Sequence, residues 1–292
     1  MNVRQALSSF RVMTGFRASV LALCAGFCFT GSAQAAMIVW ASGTADPAGA
    51  DSGWVSLLEG AGHDVTRFTI TGALTPENIS QLNAADLVIV GRAVNSSHFD
   101  NANGQLWNEQ VTSKVLAMSA YITRNNRMGW QTGNNVPDSG PTPLIAVDPA
   151  HPIFNGISFQ GDGMTMTNDY NVMIDRGTTT IGDPLVAGAT VIATNPSVAN
   201  GIAIAEWPAG TVVTDDSIGA QTLAGPRVFF AGGSREVDQA ALTTAGVMDL
   251  TADGQQLFLN TVNYAITIPE PSALALAGLG CSLLLRRASR RR

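Results

Sequence analysis

The chain has 292 residues, of which 46% are hydrophobic and 13% are charged, and its formal net charge is −6. Apolar residues are too frequent for a disordered tail, and no biased repeat indicates a coiled coil or a collagen-like chain. Because the whole sequence holds one lysine and an excess of acids, we expect no binding of nucleic acid by charge attraction.

The first 35 residues predict a secretory signal peptide. Arg4, Arg11 and Arg17 form a positively charged leader, residues 18–30 are apolar, and Ala33-Gln34-Ala35 is a cleavage site of the small-x-small type. The alternative, a buried first helix, is disfavoured because small residues and then a strand-like segment follow the apolar run. We therefore expect signal peptidase to cut after Ala35.

Residues 36–267 are predicted to form one α/β domain. Apolar runs predict strands, and helical spacing behind the capping residues Asp51 and Thr75 predicts helices. The first four predicted strands are residues 37–41, 65–70, 85–91 and 114–121, and a third helix covers residues 102–111. This alternation predicts a mostly parallel sheet with helices on both faces. A less regular, β-rich second half follows, with a closing helix over residues 251–266.

The predicted domain is acidic and free of cysteine. Eight of the 16 basic residues and only one of the 22 acidic residues lie in the two ends of the chain, so residues 36–267 carry eight basic groups, 21 acidic groups and a net charge of −13. Such a charge favours solubility, and the alternative is attraction of a hard cation such as calcium. The three cysteines are Cys24, Cys28 and Cys281, which excludes a disulfide or a cysteine nucleophile in the domain.

A group with hydrolytic chemistry follows the third predicted strand. Ser97, His98 and Asp100 stand where ligands of parallel sheets tend to bind, beyond the carboxyl end of a strand. A serine, a histidine and an aspartate can build a catalytic triad if the fold brings them into contact. The alternative interpretation is a polar turn that leads into the next helix.

A basic and aromatic group follows the fourth predicted strand. Arg124, Arg127 and Trp130 could bind a carboxylate or a phosphate, or stack on a sugar, in a domain that holds only eight basic residues. Because both strands end at the same edge of the sheet, we expect this binding rim to share a crevice with Ser97 and His98. The alternative is local pairing of these arginines with the many acids.

Asp148 and His151 lie in a proline-rich segment, where an aspartate could set the tautomer of the imidazole, although a turn is the simpler interpretation. The three histidines of the chain have no metal-ligand spacing, so no metal site is predicted. Ala231-Gly232-Gly233-Ser234 matches neither the dinucleotide nor the phosphate-loop pattern, so we expect no nucleotide cofactor.

The C-terminal residues 268–292 predict a sorting tail. Pro269-Glu270-Pro271 precedes an uncharged run at residues 272–285, which is predicted to be a short transmembrane helix, and five arginines follow it. This order resembles the PEP-CTERM sorting tail, which is also catalogued as the ice-binding protein C-terminal domain. The resemblance implies a Gram-negative bacterium and a membrane-embedded exosortase that cuts near the Pro-Glu-Pro motif.

The middle of the chain resembles the flavodoxin-like domains of the class I glutamine amidotransferase-like superfamily, especially ThuA-like ones. The resemblance is carried by the opening strand–loop–helix, by residues 85–91 and by residues 148–154. In that superfamily a cysteine nucleophile stands on a tight turn after a central strand. Ser119 occupies the comparable place here, so the family's main chemical group is missing and its activity is not carried over.

Together these features predict an exported protein that exosortase delivers to the cell envelope, the cell surface or the extracellular matrix. Its expected role is non-catalytic, as a binding or envelope component, with signal peptidase, exosortase and the inner membrane as processing partners. Exopolysaccharide or a small molecule is the expected ligand. The alternative function is an extracytoplasmic hydrolase or carbohydrate-active enzyme that uses the crevice after the third and fourth strands.

Overall fold

The structure is a computed structural model, and it describes residues 35–43, 49, 51–171, 178–233 and 246–269. The predicted signal peptide up to Gln34, the motif residues Glu270 and Pro271, and the apolar run 272–285 lie outside these residues. Within the described part of the chain, no helix is long and apolar enough to cross a bilayer.

The described residues form twelve strands, four α-helices and three short 3₁₀ helices. The strands are β1 (Met37–Ser42), β2 (Asp64–Thr69), β3 (Leu87–Val90), β4 (Lys114–Ala117), β5 (Asp138–Ser139), β6 (Ile145–Ala146), β7 (Thr178–Thr179), β8 (Thr190–Asn195), β9 (Gly201–Trp207), β10 (Val212–Asp215), β11 (Gly219–Thr222) and β12 (Arg227–Phe230). The helices are α1 (Ser52–Gly60), α2 (Pro76–Asn83), α3 (Asn101–Glu109) and α4 (Ala252–Thr267), and the 3₁₀ helices are Ser96–Phe99, Ala120–Ile122 and Pro152–Phe154.

Eight strands make one mixed sheet in the order β2-β1-β3-β4-β12-β9-β8-β6. In this sheet, strands β2, β1, β3, β4 and β12 are parallel to one another, whereas β9, β8 and β6 are antiparallel to their neighbours. The parallel sheet expected from the first half of the domain therefore forms and also includes β12, and the β-rich second half adds three antiparallel strands to it. The fourth strand is also shorter than predicted, because a 3₁₀ helix begins at Ala120.

Local sequence explains where two of the helices begin. At α2, the Thr75 hydroxyl accepts a hydrogen bond from Asn78 N, Asn78 Oδ1 accepts one from Thr75 N, and Pro76 fills the first helical position. At α4, Thr251 Oγ1 accepts from Gly254 N. Asp51 occupies the predicted N-cap position of α1, but its side chain makes no cap hydrogen bond and contacts other partners.

The core is unusually rich in enclosed tryptophan. All five tryptophans of the sequence are no more than 1% exposed, and the first two, Trp40 and Trp54, stack with ring centroids 6.2 Å apart. Trp54 also meets Phe258 of α4 edge-on at 5.1 Å. The apolar runs of β3 and β4 are fully buried, which is typical of a sheet with both faces covered.

Candidate functional site

The strands β1, β3, β4 and β12 end side by side, and we call this side of the sheet the carboxyl edge. Chain order reverses there between β1 and β3, since β2 pairs with one side of β1 and β3 with the other. In open parallel sheets, ligands bind outside the carboxyl ends of the strands at such a reversal. The polar groups at the carboxyl edge are therefore the first candidates for a site.

Arg92 is the central charged group at the carboxyl edge. It lies two residues after the end of β3, and its side chain is completely buried. Its Nη1 donates to Val247 O at 2.8 Å and to Asp249 Oδ1 at 2.7 Å. The guanidinium also lies 5.9 Å from the centre of the Trp54 ring, within cation–π range. Burial of this charge is thus offset by a carboxylate, a carbonyl and an aromatic face.

The partners of Arg92 belong to residues 246–250, which we call the covering segment. Trp54 Nε1 donates to Gly246 O at 3.0 Å, and a Cβ on Gly53 would lie only 3.0 Å from Met248 Cβ. The covering segment therefore lies against the start of α1 as well as against Arg92. The chain itself fills the position between β1 and β3 where a ligand would be expected.

The two carboxylate oxygens of Asp249 differ in their hydrogen bonding. Asp249 Oδ2 is buried and has no hydrogen-bond partner among the described residues, although Asp249 Oδ1 accepts from Arg92. A buried carboxylate oxygen without a donor is unfavourable by about 1–3 kcal/mol, or more because it is charged. The ion pair is therefore not an optimal structural contact for Asp249.

A second buried carboxylate, Asp51, joins three elements at the same edge. Asp51 Oδ2 accepts from Trp40 Nε1 at 2.6 Å, and Oδ1 accepts from Arg67 Nη1 at 2.6 Å. These bonds tie β1 and β2 to the start of α1. Gly91 is required beside them, because a Cβ there would lie 2.8 Å from the Trp40 ring.

Tyr170 closes the carboxyl edge near β12. Its hydroxyl donates to Ala231 O at 3.0 Å, and burial raises the pKa of Tyr170 well above its ordinary value, against a smaller opposing effect of a hydrogen bond with Thr178. A phenol in this setting stays neutral at physiological pH. It acts here as a hydrogen-bond donor and not as a base.

Two of the candidate catalytic residues, Ser97 and His98, lie in the 3₁₀ helix after β3. Ser97 is exposed and its Oγ donates to Asn95 Oδ1 at 2.9 Å. His98 is half-buried, and its Nδ1 has no hydrogen-bond partner among the described residues. Within the described chain, no serine hydroxyl is hydrogen-bonded to a histidine ring, so a Ser–His pair is not assembled in this conformation.

Ser119 lies at the carboxyl edge but is buried. It is 2% exposed and precedes the 3₁₀ helix after β4. Gly233, which follows β12, approaches so closely that a Cβ there would lie 2.9 Å from Ser119 Cα. The hydroxyl is thus enclosed between two strand ends.

The structure brings the candidate binding rim and the segment after β3 together. Arg124 Nη2 donates to Ser96 Oγ at 3.3 Å, and its guanidinium lies 5.3 Å from the centre of the Tyr121 ring. Arg127 Nη1 lies 3.9 Å from Asp100 Oδ2. Burial, and then the charge of Arg127, lower the pKa of Arg124. Two cations therefore lie close together at one place on a strongly acidic domain.

Trp130 does not join that rim. Its side chain is fully buried and packs against Trp207 with ring centroids 5.1 Å apart. Its Nε1 donates to Asn108 Oδ1 at 3.1 Å, and Asn108 in turn donates to Gln221 Oε1 at 2.7 Å. No face of this ring is open to a sugar.

Asp148 and His151 lie apart from the carboxyl edge. The His151 ring meets Tyr264 of α4 edge-on at 4.7 Å, and Tyr264 donates its hydroxyl proton to Glu206 Oε2 at 2.6 Å. Burial lowers the pKa of His151, while the charges of Glu206 and Asp148 oppose that shift. The Asp148 carboxylate accepts from Ala150 N at 2.9 Å, which is the hydrogen bond of a local turn.

Other candidate sites are weaker. Among the described residues, no three histidines, cysteines or acids are grouped so that they could hold a metal ion. An open groove of about 410 Å³ runs along the turn between β8 and β9. Its buried amide, Asn195, already bonds to Ser139 and Ser197, so the groove offers a ligand mainly methyl groups.

The tail gives the clearest similarity to known proteins. Residues 267–292 match the family model of the PEP-CTERM protein-sorting motif. The match begins at the last residue of α4, so the sorting motif directly follows the described domain. No curated protein matches the chain. The motif indicates an exported protein with exosortase as its processing partner and with a place in the cell envelope or at the cell surface.

Sequence reasoning missed Arg92, Asp249 and Asp51 as site residues. One signal was present, because Arg92 is one of eight basic residues in the domain and lies two residues after the end of a buried strand. Its partner Asp249 is 157 positions away and lies in no periodic pattern. Pairing at that separation cannot be recognised from spacing in a single sequence.

Proposed function

We propose that the protein is an exported, non-catalytic binding or structural component that exosortase delivers to the cell surface or extracellular matrix. The sorting motif at residues 267–292 is the observation that carries this proposal. Signal peptidase would cut after Ala35, and exosortase would cut near Pro269-Glu270-Pro271. Residues 36–267 would then remain as the working domain.

In this proposal, residues 272–285 hold the chain in the inner membrane until it is cut. As a helix, the 14 residues would be about 21 Å long, shorter than the ~30 Å hydrocarbon core. Local thinning of the bilayer and snorkelling of the flanking arginines would make up the difference. The five arginines would stay on the cytoplasmic side, which leaves the domain outside.

The strand order supports the proposed resemblance of the domain to flavodoxin-like amidotransferase relatives. The parallel strands follow the order β2-β1-β3-β4-β12, and flavodoxin-type sheets have the same 2-1-3-4-5 order. A buried serine in place of the cysteine nucleophile favours binding over amide transfer.

The chemistry of the carboxyl edge suggests a ligand class. We assign Arg124 and Arg127 to the ligand rim, where they would hold a carboxylate or a hydroxyl-rich sugar. The −13 charge of residues 36–267 repels polyanions, so an uncharged exopolysaccharide or a small acid fits better than a polyanionic chain.

Export and processing can be tested with matched variants. In the producing bacterium, we expect the wild-type protein to reach the surface without its leader and tail, and the variant Glu270→Ala to stay membrane-associated with its tail. Ser272→Ala is the matched control outside the three-residue motif and should behave as wild type. The measurements are cell fractionation and the intact mass of the recovered protein. Identical location and mass for Glu270→Ala and wild type would contradict the proposal.

The alternative, a hydrolase of the crevice after β3 and β4, is favoured by one contact. Arg124 reaches Ser96, which places a cation beside the Ser97–His98 segment. A hydrolase would react with a fluorophosphonate probe at Ser97, and His98→Ala would abolish the labelling. We expect no labelling that depends on His98.

A further inference from the structure

The chain enters and leaves the described domain on the same side. We call this side the amino edge, where the parallel strands β1, β2, β3, β4 and β12 begin, opposite the carboxyl edge with Arg92. The leader precedes β1, and the sorting motif follows α4. Where these two segments attach decides how the domain is held during sorting.

The N-terminal attachment point is fixed by three hydrogen bonds. Met37 N donates to Asp86 Oδ2 at 2.8 Å, and Asp86 N donates to Met37 O at 2.9 Å. Ala36 O accepts from Asp64 N at 3.0 Å. The chain is therefore ordered up to the first residues after the expected cleavage site.

The C-terminal attachment point is fixed by α4. The helix begins at the carboxyl edge, where Thr251 Oγ1 donates to Asp169 O and a Cβ on Gly254 would collide with Tyr170 O. It ends at the amino edge, where Lys114 Nζ donates to Ile266 O at 3.0 Å. Its 16 residues span about 24 Å, so α4 runs the full distance between the two edges.

The connection to the tail is short. Only residues 269–271 separate the end of the α4 cap from the apolar run at 272, and three extended residues reach about 10 Å at most. The two attachment points are themselves close, because β1 and β4 are separated by β3 alone, or about 10 Å of sheet. Because these distances are short, the domain cannot turn its carboxyl edge toward a membrane into which residues 272–285 are inserted.

The geometry points to the amino edge as the surface that faces the lipid headgroups while the tail is attached, with the carboxyl edge projecting away from the membrane. This inference extends the proposed function. It rests on one part of that proposal, the insertion of residues 272–285 into the membrane. The exposed side chains at the amino edge include Asp64, Asp86 and Thr112, with Met37 54% exposed. The carboxylates of Asp64 and Asp86 and the hydroxyl of Thr112 suit contact with headgroups and not insertion into hydrocarbon.

The cysteine-free domain allows a direct test. Tail-bearing protein is purified from a strain without exosortase, with Cys281→Ser as background and one new cysteine. Thr112→Cys places a fluorophore at the amino edge, and Thr71→Cys places it just after β2 at the carboxyl edge. Both positions are exposed threonines next to a strand end, so each variant is the matched control of the other.

The protein is reconstituted into phosphatidylcholine vesicles that contain a lipid with a nitroxide on its headgroup. We expect quenching at position 112 to be roughly threefold or more stronger than at position 71, since α4 separates the edges by about 24 Å. Equal quenching at both positions of vesicle-bound protein would overturn the inference and leave the sorting proposal standing. Protein that does not bind vesicles, while its tail is intact, would contradict membrane insertion and the inference with it.

Discussion

Among the described residues, two arginines are completely enclosed, and they lie at opposite edges of the same sheet. Arg92, at the carboxyl edge, faces the carboxylate of Asp249. Arg227, at the amino edge, donates its five described hydrogen bonds to main-chain carbonyls, which belong to residues 107, 108, 111, 113 and 226. Burial lowers the pKa of Arg227 to about 9.

The two arginines differ in the groups that accept their hydrogen bonds. The carbonyls around Arg227 include those at the end of α3, where the helix dipole favours a cation, and they cannot be exchanged for other groups. Arg92 donates to one main-chain carbonyl, Val247 O, and also to a side chain on the covering segment, Asp249, whose place another carboxylate could take. Arg227 is therefore a fixed helix cap, whereas Arg92 is bound in part by a side chain, the carboxylate of Asp249.

The largest expected effect is the loss of the helix cap. We expect Arg227→Met to lower the free energy of unfolding by about 3–5 kcal/mol, because several buried carbonyls lose their donors at once. Arg127→Met is the matched control and should cost less than about 1 kcal/mol, since its ion pair is partly exposed. Urea denaturation measures the free energy of unfolding of both variants. Equal decreases in the two variants would contradict the distinction between a fixed helix cap and a surface charge.

A smaller effect is expected at the carboxyl edge. Asp249→Ala should cost about 2–3 kcal/mol, because it leaves the buried guanidinium of Arg92 without its carboxylate. Adding Arg92→Met should cost less than the sum of the single changes, with a coupling of about 1–3 kcal/mol in the double-mutant cycle. Strict additivity would show that the pair does not interact in solution.

The buried carboxylate of Asp51 allows a similar comparison of a charged and a neutral hydrogen-bond acceptor. Trp40→Phe removes the donor to Asp51 Oδ2 and keeps most of the buried ring, so we expect a loss of about 1.5–3 kcal/mol. Trp130→Phe is the control with a neutral acceptor, Asn108, and should cost less, about 0.5–1.5 kcal/mol. The test is denaturant unfolding, and a reversed order of the two losses would contradict a charge-assisted bond at Asp51.

The smallest effect concerns pH. Burial lowers the pKa of His151 and of His63 below the ordinary value of about 6.5, so the unfolded chain takes up these protons first as pH falls. Stability should therefore be full above about pH 6.5 and decline as pH falls through the folded-state values. His151→Gln should flatten this dependence in thermal unfolding, and adding His63→Gln should flatten it further. An unchanged pH profile in the double variant would show that neither imidazole contributes.

Much of the parallel half of the fold could be predicted from the sequence, because its signals are local. Strands β1 and β3 are apolar runs, and Thr75-Pro76 predicts the start of α2. Predictions that depend on direction failed: Asp51 turns toward Trp40 and Arg67 and does not cap α1, and Trp130 packs inward. In both cases contacts with distant residues decide where a side chain points.

The candidate site was predictable in position more than in composition. Arg124, which follows β4, does reach Ser96 in the segment after β3. The covering segment was not foreseen, since residues 246–250 have no strand or helix pattern and pair with residues far away in the sequence. The sorting tail was recognisable because its order of motif, apolar run and arginines is contained in 25 consecutive residues, 268–292.

The shared exit of both chain ends has a practical consequence for engineering. A cargo fused ahead of Met37 or behind Ile268 would sit on the side of the sheet where the strands begin, away from Arg92 and Arg124. The molecule could thus carry an enzyme or an affinity tag at either terminus and keep its opposite side open for selection experiments. Circular permutation should also be feasible, because a short artificial loop could join the two ends.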